Sequence, residues 1–127
     1  MIQDIYQVSL QGLATERTRI EVATQNIANA NAISGSAEAA YRAKSVMSSA
    51  FAQSLSTEPL VQANGEVKAE YKPEHPLADS KGMIYRPDID LASQMLQLNM
   101  ASRAYEANIR ALNSIREMNS KSLEIGK

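Results

Sequence analysis

Cysteine is absent from this chain of 127 residues, and so is tryptophan. Without cysteine, disulfide bonds, thiol catalysis and thiolate metal sites are all excluded. Phenylalanine occurs once and aromatic residues make up 5% of the chain, so a core must come from Leu, Ile, Val, Met and Ala. The sequence therefore has the material for one modest domain without large aromatic anchors.

An excess of one charge and long apolar runs are also missing. Thirteen basic and fourteen acidic residues give a net charge of −1, which argues against nucleic acid as a partner. No stretch approaches about 18 consecutive apolar residues, so the sequence predicts a chain that is not membrane-spanning. The first residues, MIQDIYQVSLQ, show neither the basic nor the apolar region of a cleavable signal peptide, and we expect none.

Two long segments carry helical periodicity. A seven-residue apolar repeat that begins at Tyr6 predicts one helix within residues 1–33. Alternating spacings of four and three predict a second helix within residues 89–127, capped by Asp88 or Asp90. The residues expected to join these two helices are Leu13, Ile20, Ile27, Leu91, Met95, Leu98, Tyr105 and Leu112.

A second stripe of mostly small residues follows the second helix, rotated by about 100° from the first stripe. A helix that packs on a single neighbour needs a single stripe, so the second one predicts contact with neighbouring subunits. The alternative is that alanine serves only as a good helix former. The residues assigned to this subunit interface are Ala101, Ala104, Asn108, Ala111, Ile115 and Met118.

The middle of the chain, residues 34–88, has a different pattern. Residues 41–55 are ambiguous between a strand and a frayed helix, whereas residues 65–72 alternate apolar with charged side chains, as a half-exposed strand does. A proline-rich turn separates that strand from a short one at Met83–Tyr85. The sequence thus predicts a mainly α protein with one helical domain: two long antiparallel helices forming a coiled-coil-like pair, with a small irregular β-hairpin-like region between them.

Three asparagines, Asn26, Asn29 and Asn31, lie where the first apolar stripe fades. Asparagine is unfavourable inside a helix because its amide competes with the backbone for hydrogen bonds. Either the helix simply ends here, or these amides bind adjacent subunits and fix the register of assembly. We assign all three to the subunit interface.

The titratable residues give no catalytic pattern. His75 is the only histidine and lies in a proline-bounded turn, which is typical of a surface residue. Helix capping accounts for at least one of Asp88 and Asp90, and Asp79 is typical of a turn. The phosphate-binding loop, the nucleophile elbow and the zinc-protease motif are absent from the sequence. We therefore expect no enzyme activity, no cofactor, no metal and no small-molecule substrate.

Three segments resemble the flagellar basal-body rod family of axial proteins. GLATERTRIEVATQNIANANA at 12–32 is similar to the amino-terminal helix of those proteins, which ends in N-(I/L)-A-N-A. YKPEHPLADSKGMIYRPDIDLASQM at 71–95 resembles the proximal rod proteins of the FlgC type, and MASRAYEANIRALNSI at 100–115 resembles their terminal helix. The departures from the family pattern are Ala32, Met83, Asp88 and Gln94, where Thr, Tyr, Asn and Glu are usual.

This resemblance implies a structural subunit of the flagellar proximal rod, which assembles with copies of itself and with other flagellar rod proteins into a helical shaft that transmits torque. It also implies contacts with basal-body ring and export-apparatus components. The rod crosses the periplasm, and its subunits leave the cell by type III export without a cleavable signal peptide. The alternatives are another axial protein, such as a different rod or hook subunit, or a cytoplasmic helical export chaperone or adaptor.

Overall fold

A computed structural model describes residues 2–47 and 59–126 of the chain. There are two long helices, α1 (Ile2–Ala28) and α2 (Leu91–Ile125). Between them in the sequence lie the short strands β1 (Ser45–Val46), β2 (Val61–Gln62), β3 (Val67–Tyr71) and β4 (Met83–Pro87). The strands form two antiparallel pairs, β1 with β2 and β3 with β4. The predicted architecture, mainly α with a small hairpin region between two packed helices, is confirmed.

The two helices run antiparallel. At one end of the pair, Asn26 of α1 donates a hydrogen bond to Gln94 of α2, at 3.1 Å. Further along, Gly12 lies against Asn108, and near the other end Tyr6 and Ile115 line the same recess. Residue numbers therefore fall along α1 as they rise along α2, which is the order that an antiparallel pair requires.

Both helix ends have local causes. The side chain of Asp90 accepts a hydrogen bond from the backbone N–H of Ala92 at 3.2 Å, so Asp90 rather than Asp88 caps α2. Asp88 instead lies 3.2 Å from the Lys68 ammonium group in an exposed ion pair. Helix α1 ends at Ala28, a few residues before the predicted end, and the chain then forms a turn.

In the hairpin of β3 and β4, the buried apolar side chain lies on β4. The alternation of apolar and charged residues had instead indicated a half-buried face on β3. Tyr71 on β3 is 68% exposed, whereas Ile84 on β4 is fully buried. The reason is strand order: Ser34 pairs with Tyr85 on the other edge of β4, with backbone N–H to O distances of 2.8 and 2.9 Å. Strand β4 is therefore central and β3 is an edge strand, on which Ala69 and Tyr71 are exposed and Val67 is half-buried.

The pair of β1 and β2 was not predicted as such. Each strand is two residues long, too short for the two-residue period of a strand to appear in the sequence. Val46 pairs with Val61, and this pairing places part of the ambiguous run 41–55 in a strand. Residues 48–55 of that run lie outside the described residues.

The turn before β4 requires glycine at position 82. Gly82 has φ +76°, and its N–H donates to the carbonyl oxygen of Asp79 at 3.0 Å. A Cβ atom there would lie 2.9 Å from Cε2 of Tyr71 and 3.0 Å from Cβ of Pro73. Gly82 thus has both a left-handed backbone conformation and close contact with Tyr71 and Pro73, and each of these favours glycine.

We expect Gly82→Ala to lower the free energy of unfolding by about 1–3 kcal/mol, because it combines positive-φ strain with this steric conflict. Urea unfolding followed by circular dichroism measures the change. Gly126→Ala is the matched control, since Gly126 has φ −75° and its nearest neighbour to an added Cβ is 3.5 Å away. Equal effects of the two substitutions would contradict the argument.

Buried apolar side chains are few in the described part of the chain. They are Val22, Ala23, Ala40, Ile84, Pro87, Ala101 and Leu112. The accessible surface is 9069 Å², compared with roughly 6,700 Å² expected for a compact monomer of this mass. Several large apolar side chains of the two helices are exposed, among them Val8 of α1 at 65% and Met100 of α2 at 62%.

Candidate subunit-contact surface

The stripe of small residues on α2 faces α1 in the folded chain. Ala101 is 3% exposed and Ala104 is half-buried. The Asn108 amide lies so close to Gly12 that a Cβ atom there would be 3.0 Å from its Nδ2. Small side chains at these positions let the two helices approach closely. Ala101, Ala104 and Asn108 thus lie on the side of α2 that contacts α1 within the chain, and their assignment to contacts with neighbouring subunits stays a prediction.

The other residues of the small-residue stripe on α2 are Ala111, Ile115 and Met118. One of them contacts α1, and the other two lie at the surface. Ile115 is half-buried near Tyr6, so it too belongs to the contact with α1. Ala111 is exposed, and Met118 is 69% exposed. The last two residues remain candidates for contacts with other subunits.

The residues predicted to join the helices also divide. Leu112 is buried and Tyr105 is half-buried in a recess that it shares with Leu13. Leu91 and Met95 are 41% and 48% exposed, so they lie beside the contact rather than within it. The half-buried residues of this set are Leu13, Ile20, Ile27, Leu98 and Tyr105.

Asn26 is the most buried polar residue in the described part of the chain, with 1% of its surface exposed. Its Nδ2 donates to the backbone oxygen of Lys44 at 2.9 Å and to Oε1 of Gln94 at 3.1 Å. Its Oδ1 accepts from the Tyr41 hydroxyl at 2.7 Å and from the backbone N–H of Lys44 at 2.9 Å. An asparagine amide has two donor hydrogens and two acceptor lone pairs, and all of them are used here.

These bonds join α1, α2 and the strand region at one point, and we call the four residues Asn26, Tyr41, Lys44 and Gln94 the Asn26 node. Burial at this point raises the pKa of the Tyr41 hydroxyl above its ordinary value. The amide of Asn26 therefore fixes register, as expected of a buried polar group, but within the chain. All of its hydrogen bonds are made within the chain, and its assignment to a subunit interface stays a prediction.

Asn29 and Asn31 behave differently from Asn26. The Nδ2 group of Asn29 donates to the backbone oxygen of Gln25 at 2.8 Å, and the same oxygen accepts from the backbone N–H of Asn29 at 3.0 Å. Asn31 is exposed in the turn that follows. At Asn29 ordinary helix termination accounts for the side chain, whereas Asn31 stays a candidate for contact with another subunit.

Helix α2 carries exposed apolar side chains on both sides of its contact with α1. Successive residues turn by about 100°, which places two groups of residues on opposite sides of the buried positions Ala101 and Leu112. The first, the Leu91 flank, consists of Leu91, Met95, Ile109 and Leu123; the second, the Met100 flank, consists of Leu96, Met100, Met118 and Ile125. All eight side chains are at least 37% exposed.

The face of α2 that points away from α1 is polar. Its exposed residues include Asn99, Arg103, Glu106, Arg110, Asn113, Glu117 and Lys121. A groove of about 530 Å³ runs beside the Met100 flank, and Arg19, Val22, Met100 and Ala104 contribute to its lining. Apolar surface is thus concentrated beside the helix contact and not spread around the helix.

Asp79 organises the turn that leads into β4. Its Oδ1 accepts from the backbone N–H groups of Lys81 and Met83, both at 2.9 Å, and its Oδ2 accepts from the Tyr85 hydroxyl at 2.8 Å. The hydrogen bond from Met83, followed by that from Tyr85, lowers the pKa of the carboxyl group below its ordinary value of 3.8. The same bond to Asp79 raises the pKa of the Tyr85 hydroxyl.

Because folding lowers the pKa of Asp79, its contribution to stability is present above the ordinary pKa and is lost as the pH falls through the folded value. We expect Asp79→Asn to flatten the decline of stability below pH 3.8. Tyr85→Phe removes one of the three bonds and is expected to give an intermediate slope. Urea unfolding at a series of pH values measures both, and an unchanged slope in Asp79→Asn would refute the assignment.

The described residues offer little for other kinds of site. Within residues 2–47 and 59–126, His, Cys, Asp and Glu form no group of three or more that could hold a metal ion. Of the helices described, none is long and apolar enough to cross a membrane. His75 lies half-buried in its turn, where its Nδ1 accepts from the backbone N–H of Leu77 at 3.1 Å.

Sequence comparison adds to this geometry. Residues 80–125, which include all of β4 and all of α2, match the family model described as "Flagellar basal body rod FlgEFG protein C-terminal". The chain is 32% identical over 130 residues to the flagellar basal-body rod protein FlgC of Salmonella typhimurium, an alignment that covers 98% of this chain and 97% of that protein. The chain belongs to the FlgC family of flagellar basal-body rod proteins.

More distant members of the FlgC family align along nearly the same length. The chain is 28% identical over 143 residues to FlgC of Bacillus subtilis, which covers 94% of this chain and 95% of that protein. For FlgC of Borreliella burgdorferi the identity is 27% over 141 residues, with 93% of both chains covered. Membership in the FlgC family makes this a structural protein of the flagellar basal body, and it does not favour an export chaperone.

Proposed function

We propose that this chain is a subunit of the proximal rod of the flagellum, where it packs side by side with copies of itself and with other rod proteins. The observation that carries this proposal is the pair of exposed apolar flanks on α2. Side chains such as Met100, 62% exposed, and Leu96, 60% exposed, gain about 1.5–3 kcal/mol each when they are fully buried. Contacts on both sides of the helix pair suit a subunit that has neighbours on both sides.

The internal contacts suit a component that transmits torque. The Asn26 node joins both helices to the strand region, so the parts of the subunit are held in one register. A shaft needs subunits that do not shear internally when their neighbours pull on them. The exposed residues Asn31, Ala111 and Met118 lie outside these internal contacts and are proposed to meet adjacent subunits.

Location and export follow from the same proposal. The subunit takes its place in the part of the basal body that crosses the periplasm, beside ring and export-apparatus components. It reaches that place through the flagellar export apparatus without cleavage of a signal peptide.

Charged substitutions on the two flanks test the proposal in a strain that lacks its own copy of the gene. We expect Met100→Lys and Met95→Lys each to reduce swimming and the yield of intact basal bodies at least about tenfold, because a buried unpaired charge costs several kcal/mol per contact. Asn99→Lys, on the polar face between them, is the matched control and is expected to swim normally.

Folding must be checked separately from assembly. All three positions are exposed, so the purified variants are expected to have the helicity and the unfolding midpoint of the parent chain. Normal swimming and normal basal bodies in both flank variants would overturn the proposed use of these flanks. A loss of swimming in Asn99→Lys alone would place the contact on the polar face instead.

A further inference from the structure

The loop between β2 and β3 contains the dipeptide Asn64–Gly65. In such a pair the backbone nitrogen of glycine has no neighbouring side chain to shield it, so it attacks the Cγ carbon of the preceding asparagine more readily than other residues do. The attack forms a five-membered succinimide ring. Whether it occurs depends on how freely the two residues move, and the structure gives three restraints.

Each restraint is a hydrogen bond. The N–H of Gly65 donates to the carbonyl oxygen of Ala43 at 3.0 Å, and the Ser45 hydroxyl donates to Oδ1 of Asn64 at 3.0 Å. The Arg42 guanidinium donates from Nη1 to the carbonyl oxygen of Gly65 at 3.0 Å. The attacking nitrogen and the attacked amide are therefore both engaged with other groups.

Packing explains why position 65 is glycine. A Cβ atom there would lie 2.6 Å from the backbone nitrogen and 2.6 Å from Cβ of Ala43. These distances are far below ordinary contact distances, and one of the two atoms is backbone. The close approach to Ala43 requires glycine and so creates the labile dipeptide.

We propose that Asn64–Gly65 is a deamidation site that is protected by folding and reactive in the unfolded chain. The Gly65 nitrogen loses its proton to solvent base and bonds to Cγ of Asn64, and the Cγ–Nδ2 bond breaks to release ammonia. One water then opens the ring. Attack at the side-chain carbonyl gives aspartate, whereas attack at the main-chain carbonyl gives isoaspartate. The balance is one water consumed and one ammonia released.

The isoaspartate product does not fit this loop. It adds one carbon to the main chain between residues 64 and 65, which displaces Gly65 from Ala43. The bonds from Gly65 to Ala43 and from Arg42 to Gly65 are then lost together, and with them the alignment of β1 and β2. A chain modified while unfolded is therefore expected to refold with this strand pair disturbed.

Incubation of the full chain at 37 °C and mildly alkaline pH, with and without guanidinium chloride, tests the site. Mass spectrometry of the peptide that contains residues 64 and 65 gives the rate. We expect deamidation to be at least about tenfold faster in guanidinium, because the restraining bonds are broken there. Asn64→Gln is the negative control, since the longer side chain disfavours ring closure.

Ser45→Ala separates this protection from the general effect of unfolding. Ser45 is exposed, so the variant is expected to fold, and it loses the bond to Asn64. We expect it to deamidate about fivefold faster than the parent chain when folded and at the parent rate in guanidinium. Equal rates for folded and unfolded parent chain, or no acceleration in folded Ser45→Ala, would overturn the proposal.

Discussion

Replacement of Asn26 by alanine is expected to lower the free energy of unfolding by about 2–4 kcal/mol. The substitution removes four hydrogen bonds at once and leaves the Tyr41 hydroxyl, the Gln94 amide and both backbone groups of Lys44 without their partner. A polar group that is left without a hydrogen-bond partner in a part-buried place lowers the stability of the fold by more than its hydrogen bond had raised it. The reason is that the group lost its bound water on folding. Urea unfolding of the purified chain measures the loss.

Asn29→Ala is the control for that prediction. Asn29 has the same side chain on the same stretch of chain, but its amide makes one exposed bond, to Gln25. We expect a change within about 0.5 kcal/mol. Hydrogen exchange gives a second measure: the backbone amide of Lys44 is expected to exchange faster in Asn26→Ala, whereas Asn29→Ala leaves it unchanged. Similar losses of stability in both variants would show that the node does not hold the fold together.

The two stripes on α2 show where periodicity is informative and where it stops. Spacings of three and four located the helix to within a few residues, because helical geometry alone sets them. They did not separate the residues that face α1 from those beside the contact, since buried Leu112 and exposed Leu91 belong to the same stripe and buried Ala101 belongs to the other. Side-chain size was the available signal: small residues such as Ala101 and Ala104 on α2, and Gly12 of α1 opposite Asn108, favour the close approach of two helices.

The sequence predicts a hydrogen-bond partner for Asn26, and in the folded chain its partners lie within the chain itself. A polar residue in an apolar stripe predicts a buried hydrogen bond, and that part of the inference holds. The groups that bind it come from Tyr41, Lys44 and Gln94, which are distant in the sequence. Their convergence depends on the path of the loop after α1, and that path has no periodic signal. A single sequence therefore indicates the need for a partner and not its identity.

The hairpin illustrates the same limit. Alternation correctly placed β3 but predicted a half-buried face on it, whereas the apolar side chains are buried on β4. Which strand of a hairpin becomes central depends on what pairs with the outer edges. Here Ser34 takes the edge of β4 through two backbone hydrogen bonds, an arrangement that any residue with an N–H and a C=O can make. The identity of the residue at position 34 therefore does not predict this pairing with β4.

Ile84 on β4 is the only large apolar side chain in the described part of the chain with no exposed surface. Ile84→Ala is therefore expected to lower the free energy of unfolding by about 2–5 kcal/mol, because it removes buried methyl groups and leaves a cavity. Ile84→Val is expected to cost about 0.5–1.5 kcal/mol. Thermal and urea unfolding measure both.

The matched control is Ile125→Ala, the same change at a side chain that is 87% exposed, for which we expect almost no effect. The contrast tests where the small core lies. With few buried apolar residues among those described, a loss of several kcal/mol at Ile84 means that the hairpin contributes a large part of the stability of the free chain. Equal effects at Ile84 and Ile125 would instead assign that stability to the helix pair alone, and the hairpin would then depend on neighbouring subunits for its order.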